Sequence, residues 1–286
     1  MATILDGKKL SKKIKSDVKL ETTELIKQYK KKPHLVVILI GDDPASETYV
    51  RSKEKSSKAA GLASTIIKKD SSITEKELIK LIQSLNDDED VHGILLQLPI
   101  PKHIDGEKVI NLIDPSKDVD GFSNHHVARL NKGLDALVPC TPLGIMEILN
   151  AYDIDLEGKH AVVMGRSQIV GKPMASLLLK ANATVTVTHS RTKDLKSMTR
   201  QADILVVAVG KAKMVDASYI KEGAVLIDVG ISRIDGKLYG DIDFESVQEK
   251  AGYVTPVPGG VGPMTIAMLL KNTLTCYKNI EGKKWI

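Results

Sequence analysis

The chain has 286 residues, a length that predicts two domains of ordinary size. Hydrophobic residues make up 42% and charged residues 27%, and no apolar run is long enough to cross a bilayer, which excludes an integral membrane protein. The formal net charge of +5 comes largely from lysines on predicted solvated faces, and an aromatic content of only 3% argues against nucleic-acid binding.

Cysteine content and the first residues predict the cellular compartment. The two cysteines, Cys140 and Cys276, are too few for a disulfide framework and lack the paired spacing of a zinc site. The segment 1–7 has no basic region followed by an apolar stretch and a cleavage site, as a secretory signal would have. We therefore expect a cytoplasmic protein with reduced thiols and no metal.

The first half of the chain alternates helical and strand-like apolar patterns. Pro99 and Pro101 cannot donate to a sheet ladder, so the last strand of this half ends near Gln97, at the edge where open α/β sheets bind ligands. Thr74 and Glu77 predict a capping box. The predicted elements are a helix over 8–29, a strand over 35–40, a helix opened by Ser46, a strand over 63–68, a helix over 74–86 and a strand over 93–98.

The second half repeats strand and helix regularly, which predicts a parallel, doubly wound sheet of the Rossmann type. A helix from Thr141 to about residue 152 precedes strands at 161–164, 184–188, 204–208, 225–229 and 253–255, and a helix over 265–279 follows them. We predict an α/β protein with an N-terminal substrate domain over 1–140 and a cofactor domain over 141–264. The C-terminal helix, 265–286, is predicted to return to the first domain.

A turn typical of phosphate binding follows the first strand of the second domain. Gly165 permits a tight turn, and the helix that begins near Gly171, with Pro173 in its first turn, offers free N–H groups to a pyrophosphate. The spacing departs from G-x-G-x-x-G, so an ordinary strand–helix loop is the alternative interpretation. The regular strand–helix repeats around it favour a cofactor site.

The end of the second strand of this domain predicts the cofactor type. A carboxylate in this position would hold the ribose hydroxyls of NAD, but the sequence has no acid there. Ser190 and Arg191, with Arg166 from the first turn, are instead donors suited to the 2′-phosphate of NADP. The alternative is that Arg191 is only a solvated cation at a strand end.

Glycines near later strand ends mark further positions of close backbone approach. Val209-Gly210 and Val229-Gly230-Ile231 close the third and fourth strands, where a nicotinamide or ribose would lie. The segment 256–265 is rich in glycine and proline, and we interpret it as a loop that lines the site.

Tyr49 and Lys53 are four residues apart on a predicted helix, so both side chains lie on one face. Such a pair alone is usually a surface contact, but other motifs accompany it in order along nearly the whole chain. These are Gly41-Asp42-Asp43-Pro44-Ala45-Ser46, Leu96-Gln97-Leu98-Pro99, Asp118-Val119-Asp120-Gly121-Phe122, Pro139-Cys140-Thr141-Pro142, Gly165-Arg166-Ser167-x-x-Val170-Gly171-x-Pro173 and Pro258-Gly259-Gly260-Val261-Gly262-Pro263. The chain resembles the bifunctional methylenetetrahydrofolate dehydrogenase/methenyltetrahydrofolate cyclohydrolase (FolD) family.

This resemblance implies two reactions in one cleft. The enzyme would oxidise 5,10-methylenetetrahydrofolate with NADP and hydrolyse the methenyl product to 10-formyltetrahydrofolate, without a metal. Lys53 would move protons in the hydrolysis, which requires burial or a cationic substrate to lower its pKa from the usual 10.4 or so. Gln97 and Tyr49 would orient Lys53.

The resemblance also implies the binding residues. Asp120 would bind the pterin, and the loop from Pro258 and Gly259 to Gly262 would contact folate. Gly165 belongs to the cofactor turn, and Arg166, Ser167, Ser190 and Ile231 would contact NADP beside Arg191. The family suggests a homodimer joined through the cofactor domains.

One stretch departs from the family pattern. After Phe122 the family usually has His-Pro-x-Asn-x-Gly, whereas this chain has Ser123-Asn124-His125-His126-Val127-Ala128. The shape of this segment is therefore open. Adjacent histidines rarely chelate one ion without further partners, so we do not expect His125 and His126 to bind metal.

Three other interpretations compete with this one. A short-chain dehydrogenase also uses Tyr-x-x-x-Lys, but its glycine turn comes before the tyrosine. A dehydrogenase of the shikimate or glutamate type shares the two-domain order but lacks the Pro-Gly-Gly-Val-Gly-Pro loop. A non-catalytic NADP-sensing module would bind cofactor without needing Lys53.

Overall fold

The computed structural model describes residues 1–283, which form two compact units. One comprises Lys13–Val138 and the chain from Ile266 onward, and we call it the three-stranded unit after its sheet. The other comprises Met1–Lys12 and Pro139–Thr265, and we call it the six-stranded unit.

Strands and helices alternate along the described chain. The strands are β1 (Thr3–Ile4), β2 (His34–Ile40), β3 (Ala63–Lys69), β4 (Gly93–Leu96), β5 (His160–Met164), β6 (Thr184–Thr188), β7 (Ile204–Val207), β8 (Val225–Asp228), β9 (Ser232–Ile234), β10 (Lys237–Tyr239) and β11 (Tyr253–Val254). The helices are α1 (Gly7–Tyr29), α2 (Pro44–Ala59), α3 (Glu75–Asp87), α4 (Gly106–Ile110), α5 (Asn124–Asn131), α6 (Cys140–Ala151), α7 (Gly171–Lys180), α8 (Leu195–Thr199), α9 (Phe244–Val247) and α10 (Val261–Glu281).

The sheet of the three-stranded unit is parallel, with β2 between β3 and β4. Leu35 to Ile40 of β2 are all buried, because helices cover both faces of a parallel sheet and leave no polar face to the central strand. Ile38 of β2, Ile82 of α3 and Ile94 of β4 share one apolar core. The carboxyl ends of β2 and β4 meet at one edge, the edge at which the sequence predicts ligand binding.

Helix α10 belongs to the three-stranded unit from Ile266 onward, which confirms that the C-terminal helix returns to the first half. Tyr277 is fully buried and its hydroxyl donates to the Lys31 carbonyl at 2.7 Å. The helix begins at Val261, four residues before the predicted start, because Pro263 lies in its first turn, where a missing N–H costs little. Residues 284–286 of the predicted helix lie outside the described residues.

The sheet of the six-stranded unit has the order β1-β11-β8-β7-β5-β6, with every pair parallel. Strand β5 lies between β6 and β7, so the chain reverses its direction of winding at β5. Open α/β sheets bind ligands at the carboxyl ends of the strands at such a point. The prediction of a doubly wound, Rossmann-like domain is confirmed.

Several short elements were not predicted. Strand β1 adds to the edge of the six-stranded sheet, so Met1–Lys12 group with the second half of the chain although the predicted first domain starts at residue 1. Strands β9 and β10 form an antiparallel hairpin with Asp235 and Gly236 at its turn, both in left-handed conformations. Elements of two or three residues leave too short a period for a pattern to reveal them.

Candidate active and cofactor sites

Lys53, Tyr49 and Gln97 are brought together in the three-stranded unit. Lys53 is 6% exposed, and its Nζ donates to Gln97 Oε1 at 2.9 Å. The same Nζ lies 4.6 Å from the centroid of the Tyr49 ring. A buried ammonium therefore has an amide oxygen and an aromatic face as neighbours, an arrangement in which both contacts are electrostatically favourable.

Local sequence explains this placement. Helix α2 starts at Pro44 because the Asp43 carboxylate accepts the Ser46 N–H at 2.8 Å as its N-cap, two residues before the predicted start at Ser46. Gln97 follows β4 directly, and its Nε2 donates to the Leu98 carbonyl at 2.7 Å. That second bond fixes the amide so that its oxygen faces Lys53.

Asp120 lies in a turn shaped by another carboxylate. Asp118 is buried and accepts the N–H groups of Gly121 at 3.0 Å and Ser123 at 2.8 Å. Asn272 of α10 donates to the Val119 carbonyl at 2.9 Å. Asp120 itself is half-buried. Asp118 and Asn272 were not predicted as site residues, although an aspartate three residues before a glycine is a known turn signal.

The segment that departs from the family pattern forms helix α5, with Ser123 at its N-cap position. The His126 Nδ1 accepts the Leu137 N–H at 3.2 Å, so its Nε2 carries the proton and donates to the Pro115 carbonyl at 2.8 Å. Burial lowers the pKa of His126. Among residues 1–283, no cluster of three or more potential metal ligands from His, Cys, Asp and Glu occurs.

The glycine turn of the six-stranded unit follows β5 as predicted. Gly165 has φ +119°, and a Cβ there would overlap the Ala208 carbonyl oxygen. A Cβ at Gly171 would overlap the Gly165 carbonyl oxygen. Both positions therefore require glycine, which keeps the start of α7 close to the end of β5.

The turn that leads into the N-terminus of α7 is exposed. Ser167 Oγ accepts the N–H groups of Val170 at 3.2 Å and Gly171 at 3.3 Å, which are long bonds. Arg166 and Ser167 are exposed in the same turn. Loosely held N–H groups, a hydroxyl and a guanidinium at a helix start suit an anionic phosphate.

Ser190 and Arg191 are exposed at the end of β6, the strand next to β5. The Arg191 N–H donates to His189 Nδ1 at 3.2 Å, and the Thr192 hydroxyl oxygen accepts the His189 N–H at 2.9 Å. These bonds fix the backbone of the turn and leave the Arg191 guanidinium at the surface. The arrangement fits a ribose 2′-phosphate beside the glycine turn.

Two buried carboxylates that the sequence did not single out organise the ends of β7 and β8. Asp241 is fully buried and Asp228 is 3% exposed. Burial raises the pKa of Asp228 to about 7, while the N–H groups of Ile242 and Asp241 act in the opposite direction. Ile231 follows directly and is 59% exposed.

The predicted folate loop begins in the six-stranded unit, whereas Lys53 belongs to the three-stranded unit. The peptide bond before Pro258 is cis, and Gly259 has φ +114°. The Gly259 carbonyl accepts the Lys8 N–H at 2.8 Å, and a Cβ at Gly7 would overlap the Gly260 oxygen. The residues from Val261 onward, predicted as part of this loop, are the first turn of α10.

Comparison with known proteins identifies the family. The family model "Tetrahydrofolate dehydrogenase/cyclohydrolase, catalytic domain" matches residues 5–120, and "Tetrahydrofolate dehydrogenase/cyclohydrolase, NAD(P)-binding domain" matches residues 139–281. The chain belongs to this family. A "Bifunctional protein FolD" from Oceanobacillus iheyensis is 55% identical over 282 residues, covering 98% of this chain and 99% of the relative.

Solved structures of the tetrahydrofolate dehydrogenase/cyclohydrolase family have the same fold. The bifunctional FolD enzyme from Campylobacter jejuni is 52% identical and superposes with a TM-score of 0.95, covering 98% of this chain and 99% of that one. The Trypanosoma brucei enzyme, solved with NADP and an inhibitor, is 39% identical with a TM-score of 0.93, covering 97% and 98%. No helix among the described residues is long and apolar enough to span a membrane.

Proposed function

We propose that this protein oxidises 5,10-methylenetetrahydrofolate to 5,10-methenyltetrahydrofolate with NADP and hydrolyses the methenyl product to 10-formyltetrahydrofolate, as an enzyme of one-carbon metabolism. The observation that carries the proposal is the buried Lys53 ammonium bonded to Gln97 in a chain of this family. A non-catalytic NADP sensor would not need a buried lysine in the three-stranded unit. The family match argues against the short-chain and the shikimate- or glutamate-type dehydrogenases.

The oxidation depends mainly on positioning. Bound NADP would supply the hydride acceptor for oxidation of the folate methylene carbon. The residues proposed to hold the cofactor are Gly165, Arg166, Ser167, Ser190, Arg191 and Ile231. Their part is to bind and orient, because a reaction between two bound molecules gains its rate from correct alignment.

The hydrolysis adds water to the cationic carbon between two nitrogens. A C–O bond forms and the attacking water loses a proton; the bond from that carbon to N5 then breaks, N5 takes up a proton, and one proton is released overall. We propose that Lys53 Nζ transfers these protons, with Gln97 and Tyr49 as the residues that orient it. The Gln97 oxygen, 2.9 Å from Nζ, directs the ammonium within the site.

Preference for NADP over NAD rests on the turn after β6. The sequence has no acidic residue at positions 190 and 191, and the side chain of Arg191 is exposed. A guanidinium binds a phosphate with charge-assisted hydrogen bonds, whereas it gains little from a ribose hydroxyl. We expect tighter binding of NADP, and equal or tighter binding of NAD in a titration would contradict this preference.

The residues proposed to bind folate are Tyr49, Lys53, Gln97, Asp120, Pro258 and Gly259. A carboxylate such as Asp120 accepts the paired amino and ring N–H groups of a pterin. The corresponding division into a folate domain over 1–140 with the C-terminal helix and an NADP domain over 141–264 remains a prediction.

A homodimer through the NADP domain is also proposed. Strand β6 is an edge strand of its sheet, and Val187 on it is 39% exposed. An edge strand with an exposed apolar side chain is a surface that a second copy can cover. Light scattering at micromolar concentration tests this, and a monomer would contradict it. The cytoplasm is the proposed location, supported by two buried thiols that form no disulfide.

The first experiment follows absorbance of purified protein with 5,10-methylenetetrahydrofolate and either NADP or NAD. Reduced cofactor and the methenyl species are recorded together. We expect NADP reduction with only a transient methenyl signal. Accumulation of the methenyl species would contradict the hydrolase step, and absence of cofactor reduction would contradict the folate assignment.

A further inference from the structure

The Asp241 carboxylate accepts hydrogen bonds from the loop that follows β7. Its Oδ2 accepts the N–H groups of Val209 at 2.7 Å and Gly210 at 2.9 Å, and its Oδ1 accepts the Lys211 N–H at 2.6 Å. Three successive N–H groups thus converge on one fully buried carboxylate. Such a concave run of N–H groups around an anion fixes the backbone that carries it.

The Asp228 carboxylate likewise accepts hydrogen bonds from backbone N–H groups near the end of β8. Its Oδ1 accepts the N–H groups of Gly230 at 3.1 Å and Asp241 at 2.9 Å, and its Oδ2 accepts the Ile242 N–H at 2.9 Å. Asp228 therefore holds both the segment that leads to Ile231 and the backbone of Asp241. The two carboxylates connect the loops after β7 and β8 in series.

Close packing keeps these carboxylates in place. A Cβ at Gly230 would overlap the Asp241 carboxylate, and a Cβ at Gly240 would overlap the Asp228 carboxylate. The backbone of each glycine thus lies directly against the carboxylate of the other loop. These overlaps give a structural reason for glycine at positions 230 and 240.

We propose that Asp241, held in place by Asp228, is a positioning residue that presets the loops after β7 and β8 for NADP binding. The proposal rests on the proposed function, which places NADP against Ile231 at the carboxyl ends of these strands. Since both carboxylates bond to backbone N–H groups, they act through the loops. Lys53, the residue proposed to transfer protons in the hydrolysis, belongs to the three-stranded unit, so we expect the larger effect on cofactor affinity and on oxidation.

The test is Asp241→Asn. An asparagine at this position keeps one acceptor oxygen, but its NH₂ group faces at least one of the three backbone N–H donors, which leaves that donor unbonded. We expect the Kd for NADP, measured by titration calorimetry, to rise about ten- to hundredfold. Hydrolysis of added methenyltetrahydrofolate, which needs no NADP, should stay within about twofold because no group of its site is changed.

Two further variants sharpen the result. Asp228→Asn should also weaken NADP binding, and the double variant should be little worse than the weaker-binding single one, because residues acting in series are not additive. Asp235→Asn is the matched control: Asp235 is exposed at the turn between β9 and β10 with φ +48°, which asparagine tolerates. It should leave the Kd unchanged.

Hydrogen exchange of the unaltered protein provides a measurement that needs no variant. Slow exchange of the amides of residues 209–211 before NADP is added would support the proposal, and fast exchange would overturn it. An unchanged Kd in Asp241→Asn would overturn it as well, as would equal loss of NADP binding and hydrolysis, which marks a purely structural role. If the unaltered protein fails to bind NADP, the proposed function falls with the inference.

Discussion

Replacement of Lys53 by methionine separates the two proposed reactions. Methionine keeps the buried unbranched chain but removes the ammonium that donates to Gln97 Oε1 at 2.9 Å. A positioned proton-transfer group contributes about 10²- to 10⁴-fold to rate, or about 3 to 5 kcal/mol. We therefore expect hydrolysis of methenyltetrahydrofolate to fall by at least about 10²-fold.

The oxidation should respond far less to the same change. Hydride transfer needs alignment, and one lost positioning contact is worth about 0.5 to 1.5 kcal/mol, or at most about tenfold. The predicted signature is accumulation of the methenyl species during NADP reduction, recorded by absorbance. The fold should persist, because the lost hydrogen bond is offset by removal of a buried charge that costs several kcal/mol to desolvate.

Lys58→Met on the same helix is the control for this experiment. Its Nζ is bonded to Glu54 Oε1 at 2.6 Å, and the side chain is 59% exposed. An exposed pair of this kind contributes about 0 to 1 kcal/mol, so both activities should be retained. If Lys53→Met folds, as judged by its melting curve, and still hydrolyses the methenyl substrate within about tenfold of the unaltered rate, Lys53 is not the proton-transfer group.

Three further predictions concern the six-stranded unit. Gly165→Ala should destabilise this unit by about 2 to 5 kcal/mol and weaken NADP binding, because the backbone at Gly165 is left-handed and the added Cβ would overlap the Ala208 carbonyl oxygen. Gly158→Ala is the control, because Gly158 has φ +69° and open space around the position of the Cβ. Its thermal melt should show the cost of the backbone conformation alone. Arg191→Ala should raise the KM for NADP about 10- to 100-fold without changing that for NAD, and a parallel rise in both would refute the 2′-phosphate contact. Burial raises the pKa of Asp228 to about 7 from 3.8, so the folded state binds this proton more tightly than the unfolded state does. The contribution of Asp228 to the free energy of unfolding should therefore fall by about 4 kcal/mol as the pH rises from about 4 to 7. Urea unfolding of Asp228→Asn across that range should lack this component, and an unchanged slope of the free energy of unfolding against pH would contradict it.

The fold could be predicted from the sequence wherever the apolar runs were long. Leu35 to Ile40 of β2 are buried, and the regular alternation of strands and helices from β5 onward predicts the parallel, doubly wound sheet. The capping box of Thr74 and Glu77 is present as predicted. Strand β1 escaped prediction because a two-residue strand has no period, and its place at the sheet edge depends on pairing with β11, some 250 residues away.

The Lys53 site could be predicted for a different reason. Tyr49 and Lys53 share a helical face by spacing alone, but the contact between Lys53 and Gln97 joins residues 44 positions apart. Only the parallel register of β2 with β4 places Gln97 at the same edge as the start of α2. The resemblance to a family supplied what local spacing did not, and the geometry then gave the physical reason for the pairing.

Asp228 and Asp241 show which kind of residue sequence reasoning overlooks. Asp228 follows an apolar strand and lies two residues before Gly230, and Asp241 directly follows Gly240, as ordinary turn aspartates do. Their importance comes from burial together with bonds to N–H groups of loops up to 32 residues away. A charge in the interior is stable only when such donors surround it, and donors on the backbone leave no trace in the identity of the residues that supply them. A buried carboxylate next to an obligatory glycine is therefore the pattern by which such residues can be sought in other sheets of this type.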